Sequence, residues 1–424
     1  MNTGTQPVKK AVIAAFIFAA VSLYPLFLLF TAWSTDSAVP SESSVYSAMD
    51  KAGLNITMNS AAPGIRTITA DTENTFIVRV QVRNAEGAPV HGAEVLLEAA
   101  ADSIAPGITK TEPAGSITGA TGKNDSEDAG TASSAPNSNP VGEFSPATGI
   151  TDAGGGFLAE YTPPSTTNGV DKVLLKARLP GTDKTASIPI DLIPVPVVLV
   201  HGYQASPQIF SGVSAYLKTQ GFNPLGFSYD SGKGVISSAA QLSDYLDKIK
   251  TDMASNGIQV NRFDLIAHSM GGLAARYYTC SSGYSSKGNV RKLIFVSVPQ
   301  RGSPFASIGL KYYDDQGMRD LLTESTLYTA MLPSMINGGL NPSIQTGSIL
   351  GCYDEVVSSE SASLSQWNIE TELFNVGDSN FTIDKLLSGE ILQAANHKLI
   401  LYNKKVYRRL TQMLTTEIPL PSTK

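Results

Sequence analysis

The segment 262–276 constrains the fold of this chain more than any other stretch, and it reads R-F-D-L-I-A-H-S-M-G-G-L-A-A-R. Residues 263–267 form a short, mostly apolar run, which is typical of a buried parallel strand. The residues after the serine favour a helix. Ala267 and Gly271 lie two positions before and after Ser269, and such small residues let the backbone turn sharply without a clash. We therefore predict a strand, a tight turn and a helix, with Ser269 at the turn above the edge of a sheet.

The A-x-S-x-G pattern around Ser269 resembles the nucleophile elbow of the α/β-hydrolase lipases and esterases. Alanine stands in place of the first glycine, a variant that small bacterial lipases share. The resemblance implies an α/β-hydrolase domain with a central, mostly parallel sheet, and it makes Ser269 the expected nucleophile. We assign this domain to residues 194–424.

The first segment of the chain predicts a transmembrane helix. Residues 11–33 are uncharged and largely apolar, and at about 1.5 Å per residue this length spans a bilayer. Lys9 and Lys10 precede the segment and acidic residues follow it, which predicts a cytoplasmic tail at 1–10 and C-terminal domains outside the cell membrane. A linker at 34–50 would follow. The alternative is a secreted protein with a cleaved signal peptide, although no clean A-x-A site follows the apolar run.

Residues 51–193 show the pattern of an all-β domain. Short runs of alternating apolar residues are separated by glycine-containing turns, which predicts a β-sandwich. The runs lie at 75–83, 93–99, 157–161, 172–178 and 186–192. The sequences at 82–95 and 151–157 resemble a bacterial Ig-like domain of the invasin type.

Within this Ig-like region, 106–145 has too few large apolar residues to offset the entropy of ordering, so we predict a disordered loop there. The region contains no cluster of an acid, a histidine and a nucleophile. We therefore expect it to act as a spacer, and the alternative is a module that binds a cell-surface partner. The net charge of −6 gives no basic footprint for nucleic acid.

A turn before the serine supports the hydrolase assignment. The apolar, β-branched run at 197–200 ends in His201, Gly202 and Tyr203. In the lipases that this resembles, an H-G-x turn after a central strand supplies one amide of the oxyanion hole, which would be the Tyr203 N–H. The residue after the nucleophile supplies the other, which would be the Met270 N–H.

The remaining order of elements fits the same fold. We predict a strand at 224–229, a helix at 235–253, the helix of the elbow at 270–279 and a strand at 292–298. The sequence V-P-Q-R-G-S-P-F at 298–305 is similar to a P-x-R-G-x-P segment that lipases carry after this strand.

Histidine supply limits the choice of a base, because the chain has four histidines. His91 lies in the sandwich and His201 belongs to the oxyanion turn. His268 adjoins Ser269 on a strand, so its side chain should point to the opposite face. His397 remains, and its position near the end of the chain fits the order Ser, acid, His of the α/β-hydrolases.

The acid has three candidates. Asp354 directly follows an apolar run at 348–353, and D-E-V-V resembles the D-x-V-V segment that bears the triad acid in extracellular bacterial lipases. Asp384 and Asp378 are the alternatives. We prefer Asp354, because a carboxylate that ends a strand lies at the sheet edge where the serine emerges. If 370–376 is the penultimate strand, the loop after it would carry the acid instead.

Two features stay open at this level. The segment 312–341 carries apolar residues at helical spacing, which suits either the core or a lid over an ester pocket, and we favour a lid. Cys280 and Cys352 either form one disulfide or remain as two free thiols.

Together these patterns predict a membrane-anchored, outward-facing serine ester hydrolase that acts on an ester or lipid substrate. Ser269, His397 and Asp354 would form its triad, and no cofactor or metal is implied. Acyl transfer or amide hydrolysis would use the same residues. A surface adhesion or binding protein that uses the hydrolase fold as a scaffold is the alternative outside the enzymes.

Overall fold

The computed structural model describes residues 53–102, 140–167, 169–377 and 396–423. The predicted tail at 1–10, transmembrane helix at 11–33 and linker at 34–50 lie outside these residues. Within them, no helix combines the length and the apolar character needed to cross a bilayer.

Two packed sheets form the N-terminal sandwich, as the alternating runs predict, and one is antiparallel while the other is mixed, because β2 pairs parallel with β9. The nine strands among the described residues before Pro194 are β1 Asn55–Ser60, β2 Thr67–Thr69, β3 Phe76–Arg83, β4 Glu94–Ala101, β5 Glu143–Ser145, β6 Thr148–Ile150, β7 Gly156–Thr162, β8 Lys172–Arg178 and β9 Thr185–Ile193. One sheet has the order β1-β3-β7-β5, and the second contains β2-β9-β8-β4-β6. Every second side chain of β3 is buried, so the two sheets share one apolar core.

The predicted disordered loop at 106–145 is too long at its C-terminal end. Strand β5 pairs antiparallel with β7, and the Phe144 side chain packs on Tyr161 with ring centroids 5.5 Å apart. The prediction rested on the average composition of the stretch. The packing of one aromatic ring is enough to hold the short strand β5 at the edge of the sheet. Residues 103–139 lie outside the described part of the chain.

A parallel sheet lies at the centre of the second domain, with six strands in the part of the chain that the structure describes. Its strands are β10 Val197–Val200, β11 Pro224–Phe227, β13 Phe263–His268, β14 Val290–Val296, β15 Gln345–Gly351 and β16 Thr371–Phe374, in the order β11-β10-β13-β14-β15-β16. All five neighbouring pairs are parallel. The described helices are α1 Ser211–Thr219, α2 Gly234–Ser255, α3 Met270–Cys280, α4 Phe305–Gly309, α5 Gln316–Asp320, α6 Leu332–Ser334, α7 Ser359–Ala362, α8 Asn396–Leu399 and α9 Lys404–Thr415.

Helices cover both faces of the parallel sheet, which explains why its strands are apolar without alternation. Val198 and Val200 face one layer, which includes Leu242 of α2 and Leu273 of α3. Their neighbours in β10 face the other layer, which contains apolar residues of α1 and α9. The carboxyl ends of the strands therefore meet at one edge between two helix layers, where doubly wound sheets place their sites.

The segment 312–341 packs into the core of the domain, contrary to our preference for a lid. Met318, Leu321 and Leu332 are buried in the same cluster as the α2 and α3 side chains. A turn of π-helix at Leu327–Met331 joins α5 to α6. Apolar residues at helical spacing predict that one face of a helix is buried. This spacing does not show whether the face packs on the domain core or covers a substrate pocket.

The two cysteines are free thiols. Cys280 is buried at the end of α3, whereas Cys352 is exposed after β15. Burial raises the pKa of the Cys280 thiol to about 11, so it is protonated at neutral pH.

The two domains share a sheet. Strand β12, Ile258–Gln259, belongs by sequence to the second domain, yet it pairs parallel with β2 and extends the sandwich sheet. The Gln259 side chain donates to the Asn74 side chain at 3.0 Å and to the Thr75 carbonyl oxygen at 2.7 Å. The sandwich is therefore bonded to the second domain through backbone and side chains, in addition to the covalent connection.

Two arginines reinforce this junction. Arg262 forms a bidentate ion pair with Asp71 of the sandwich. Arg291 pairs with the fully buried Asp264 at 2.6 and 2.9 Å and also donates to the Ser165 carbonyl oxygen of the sandwich at 2.8 Å. Planar guanidinium groups suit such bidentate pairing in partly dry surroundings.

We predict that Asp71→Asn lowers the free energy of unfolding by about 2 kcal/mol, because Arg262 keeps its charge in a mostly buried place and loses a bidentate partner. Urea unfolding followed by tryptophan fluorescence measures the change. Asp183→Asn is the control, since that carboxylate is 91% exposed, and it should shift stability by no more than about 0.5 kcal/mol. Equal shifts in the two variants would contradict a stabilising junction.

Candidate active site

Ser269 occupies a strained turn between β13 and α3. Its backbone has φ 54° and ψ −134°, a conformation that costs free energy for a residue with a side chain. A Cβ atom on Gly271 would lie 2.2 Å from the His201 carbonyl oxygen, and one on Gly272 would lie 2.2 Å from a methyl carbon of Val298. Only glycines allow this close approach, so the G-G pair fixes how α3 leaves the sheet.

The serine hydroxyl contacts an imidazole. His397 lies in α8 near the end of the chain, and its Nε2 atom is 2.9 Å from the Ser269 Oγ atom. Both side chains are largely buried. The structure thus brings together the two residues that the sequence analysis selected as nucleophile and base.

Asp354 holds the other side of the imidazole. The His397 Nδ1 atom lies 2.9 and 3.0 Å from the two carboxylate oxygens. The Val356 and Val357 amides donate to Asp354 Oδ1 at 3.0 and 2.8 Å, which fixes the carboxylate in the loop after β15. Hydrogen bonds therefore link Asp354 to the His397 Nδ1 atom and the His397 Nε2 atom to Ser269.

Among the three candidate acids, the structure describes only Asp354, since Asp378 and Asp384 lie outside the described residues. The strand that we considered at 370–376 is present as β16, and among the described strands it lies at the edge of the sheet beside β15. The carboxylate that contacts His397 belongs to Asp354, which lies in the loop after β15 and not in the loop after β16.

The pair between Asp354 and His397 shifts the pKa of both groups. Burial favours the neutral imidazole, but the charge and hydrogen bond of Asp354 outweigh burial and raise the pKa of His397 above 6.5. Burial also disfavours the Asp354 carboxylate, yet His397 and the Val357 amide lower its pKa. The stabilisation from the imidazolium is thus complete below about pH 6.5 and is lost as pH rises through the raised pKa.

His268 contributes to the site in a way that the sequence did not reveal. Its Nε2 atom lies 3.0 Å from the His397 carbonyl oxygen, and the two rings are 4.6 Å apart. Burial and the neighbouring His397 lower the pKa of His268 to about 3, so the neutral ring donates its Nε2 proton to that carbonyl. The alternation of side chains along a strand argues against His268 as the base for Ser269. It does not predict the hydrogen bond between the His268 ring and the His397 backbone.

Glu355 is the second residue that sequence reasoning missed. Its Oε2 atom accepts a hydrogen bond from the His397 backbone N–H at 3.1 Å. Burial raises the pKa of this carboxyl, and the adjacent Asp354 raises it further. Asp354 therefore contacts the ring of His397, and Glu355 contacts its backbone. The sequence feature that could have identified Glu355 is its position next to Asp354.

The predicted oxyanion turn lies beside the serine. A Cβ atom on Gly202 would lie 2.6 Å from the Ser269 Cβ atom, so β10 and β13 bring the two turns into contact. Tyr203 follows Gly202 in this turn, and Met270 is the first residue of α3, where an N–H has no acceptor within the helix. The two amides proposed as oxyanion donors thus belong to backbone that flanks Ser269.

Side chains hold the oxyanion turn in place. Gln204 has φ 50°, and its N–H donates to the Ser231 hydroxyl at 2.9 Å. The Tyr203 hydroxyl donates to Asp315 at 2.7 Å, and burial raises the pKa of that phenol to about 12. The His201 ring stacks on Tyr229 at 4.3 Å, which gives His201 a structural contact away from the hydroxyl of the serine.

The segment 298–305 supports the loop that carries the acid. The Ser303 hydroxyl donates to the Val356 carbonyl oxygen at 2.5 Å. Just before the segment, Ser297 has φ 49° and faces Asp354, where its hydroxyl helps to lower the pKa of the carboxyl. The similarity to P-x-R-G-x-P thus corresponds to a structural role near the triad. His91 lies in the sandwich, 3.1 Å from the Thr151 carbonyl oxygen.

A parallel sheet between two helix layers, with a serine on a strained turn after a central strand and an imidazole and a carboxylate in reach, defines an α/β-hydrolase-like domain. No protein-family model matches the chain.

Parts of this chain align with three solved structures. The lipase BlEst2 of Bacillus licheniformis, in its propeptide form, aligns with a TM-score of 0.41 and 14% identity over 54% of this chain and 52% of that chain. Lipase B of Aspergillus fumigatus aligns with a TM-score of 0.40 and 14% identity over 53% of each chain. Invasin, a bacterial integrin-binding protein, aligns with a TM-score of 0.20 and 16% identity over 34% of this chain and 19% of its own. This chain thus spans about half of the first of these structures.

We predict that Asp354→Asn lowers the pKa of His397, because the amide removes the charge that opposes burial of the imidazolium. Titration of ¹⁵N-labelled histidine by NMR measures this value directly. Ser269→Ala is the matched control, since it leaves the carboxylate in place and should leave the pKa raised. An unchanged His397 pKa in Asp354→Asn would show that Asp354 does not govern the imidazole.

Proposed function

We propose that this protein is a serine ester hydrolase, a lipase or esterase, that works through Ser269, His397 and Asp354. The observation that carries the proposal is the unbroken row of hydrogen bonds, 2.9 Å from Ser269 Oγ to His397 Nε2 and 2.9 Å from His397 Nδ1 to Asp354. A serine hydroxyl is a weak nucleophile by itself, and an adjacent base is what such a residue requires for attack on a carbonyl carbon.

In the proposed reaction, neutral His397 accepts the Ser269 proton as the oxygen attacks the acyl carbon. The imidazolium then returns the proton to the leaving alcohol, and an acyl-enzyme forms. Water attacks the acyl-enzyme by the same route, with His397 again as base. Asp354 holds the Nδ1 proton and stabilises the imidazolium, which is consistent with the raised pKa of His397. Hydrolysis should therefore increase with pH as His397 loses its proton.

The oxyanion of the tetrahedral intermediate would lie between the Tyr203 and Met270 amides. Gly202 contacts Ser269, and the Ser231 hydroxyl holds the turn through Gln204, so the donors are fixed before substrate binds. Preorganised amides need no reorganisation as charge develops, and each contributes on the order of 3 kcal/mol in comparable enzymes.

The substrate class and the location of the protein are parts of this proposal. The BlEst2 and Aspergillus proteins are called lipases, which supports an ester or lipid substrate for the present fold. The apolar run at 11–33 and its flanking charges support a single-pass membrane anchor with the catalytic domain outside. The Ig-like sandwich would then lie between the membrane and the catalytic domain as a spacer.

We predict that Ser269→Ala abolishes hydrolysis of p-nitrophenyl butyrate and prevents labelling by a fluorophosphonate. The same variant should keep the wild-type melting temperature to within a few degrees, because the turn loses one hydroxyl and little packing. Ser255→Ala is the control for loss of a hydroxyl, since Ser255 is exposed at the end of α2. Turnover retained in Ser269→Ala would favour a scaffold function for the domain.

We predict that Asp354→Asn lowers kcat by roughly 10³ to 10⁴, as loss of the acid does in other serine hydrolases. Asp384→Asn should retain near-normal turnover. Both rates come from the same ester assay, and circular dichroism checks that each variant is folded. A large loss at Asp384 together with normal turnover at Asp354 would reverse the assignment of the acid.

We predict that the protein remains in the membrane fraction after washing with high salt. Protease added outside the cell should release the sandwich and the catalytic domain together by cutting within 34–50. Immunoblotting of pellet and supernatant gives the answer. A mature form that begins after residue 33 and is soluble would establish a cleaved signal peptide.

A further inference from the structure

A cavity lies in the catalytic domain apart from the proposed triad. Its volume is about 500 Å³, and its walls come from α3, from Gln300 and Arg301, and from the segment around Tyr328 and Leu332. None of the three proposed triad residues lines it. The size is within the range of sites for small organic molecules.

Arg276 of α3 places a buried positive charge at this cavity. The side chain is 3% exposed, and its guanidinium donates to the Gly339 carbonyl oxygen and to both oxygens of Gln300. It also stacks over the Trp367 ring at 4.9 Å. Every one of these partners is neutral, and Arg276 pairs with no carboxylate in the described part of the chain.

The absence of a counter-charge is unusual for such a group. A buried cation ordinarily has an anionic partner, because leaving water costs several kcal/mol. Burial lowers the pKa of Arg276 only to about 10, so the group remains a cation at neutral pH. The exposed Arg301 adds a second positive charge at the wall of the same cavity.

Further donors at the cavity lack acceptors. Gln300 is 3% exposed, and its Nε2 group has no hydrogen-bond partner among the described residues. Its Oε1 atom accepts from Arg276 at 3.0 Å, so the amide group is held with Nε2 as the remaining donor. A buried N–H without an acceptor costs free energy unless a ligand or water supplies one. The Nη2 group of Arg276 likewise makes no hydrogen bond to a described residue.

We propose that this cavity binds a small organic anion through a carboxylate or phosphate group held by Arg276, the Gln300 amide and Arg301. An oxyanion offers the planar acceptor pair that a guanidinium group matches, together with the charge that the cavity lacks. Leu332 and Pro333 provide apolar walls for the rest of the ligand. The volume of about 500 Å³ exceeds what a bare inorganic ion fills, which leaves room for an organic body beside the anionic group.

Calorimetry on the full chain at constant ionic strength tests the site with phenyl phosphate and benzoate as probes. Phenol is the uncharged control, and inorganic phosphate is the control without a body. We expect one of the two organic anions to bind more tightly than the other three compounds, and its identity distinguishes a phosphate site from a carboxylate site. Equal or undetectable binding of all probes would overturn the proposal.

Gln300→Glu is the decisive variant, since it keeps the shape of the side chain and gives Arg276 a carboxylate of its own. We expect anion affinity to fall at least tenfold. The substitution removes the Nε2 donor that would bind the anion, and it adds a negative charge that repels the anion. The melting temperature should stay the same or rise, which separates this result from unfolding. Wild-type affinity in Gln300→Glu would overturn the proposal.

Arg301→Gln offers a second and milder change at an exposed position. We expect it to weaken binding about threefold, as loss of one exposed charge contact does. Arg408→Gln on α9 is the matched control, because Arg408 is exposed and outside the cavity. Equal effects in the two variants would show that only the overall charge matters, which contradicts a defined site.

Discussion

The hydrogen-bonded pair of Asp354 and His397 is the interaction on which the geometry of the site depends. It joins the loop after β15 to α8, two parts of the chain with β16 between them. Glu355 binds the backbone of the same histidine, and His268 binds its carbonyl oxygen from β13. His397 is therefore held at its ring by Asp354 and at its backbone by Glu355 and His268, and its Nε2 atom points toward Ser269.

Backbone strain and close packing place the serine in that direction. The positive φ of Ser269 is possible because β13 and α3 hold both ends of the turn. Gly271 lets α3 approach the β10 turn, and Gly202 lets the same turn approach the serine. Gly202 and Gly271 thus let the turns after β10 and β13 approach each other, and His397 links the turn after β13 to the loop after β15 by hydrogen bonds.

The sequence predicted those parts of the fold that depend on local patterns. Apolar runs without alternation identified the parallel strands, and the small residues around Ser269 identified the turn, since both follow from short-range physics. His397 followed from the small number of histidines. The acid did not follow as firmly, because three aspartates were compatible with the order of elements and only the strand order decides which loop reaches the imidazole.

Other features depend on contacts between distant residues and left no local pattern. Strand β12 has two residues, and its partner lies in the other domain, so neither periodicity nor composition could identify it. The roles of His268 and Glu355 arise from where α8 packs. Phe144 ordered an edge that the average composition of its neighbours concealed.

The shared sheet has a consequence for how such a protein can change in evolution. A spacer on a free linker can be lengthened, duplicated or exchanged without effect on the enzyme that it carries. Here the β12 backbone and the Arg262 side chain tie the sandwich to the second domain. Replacement of the sandwich by an unrelated spacer would therefore break these contacts unless the new domain supplied matching ones.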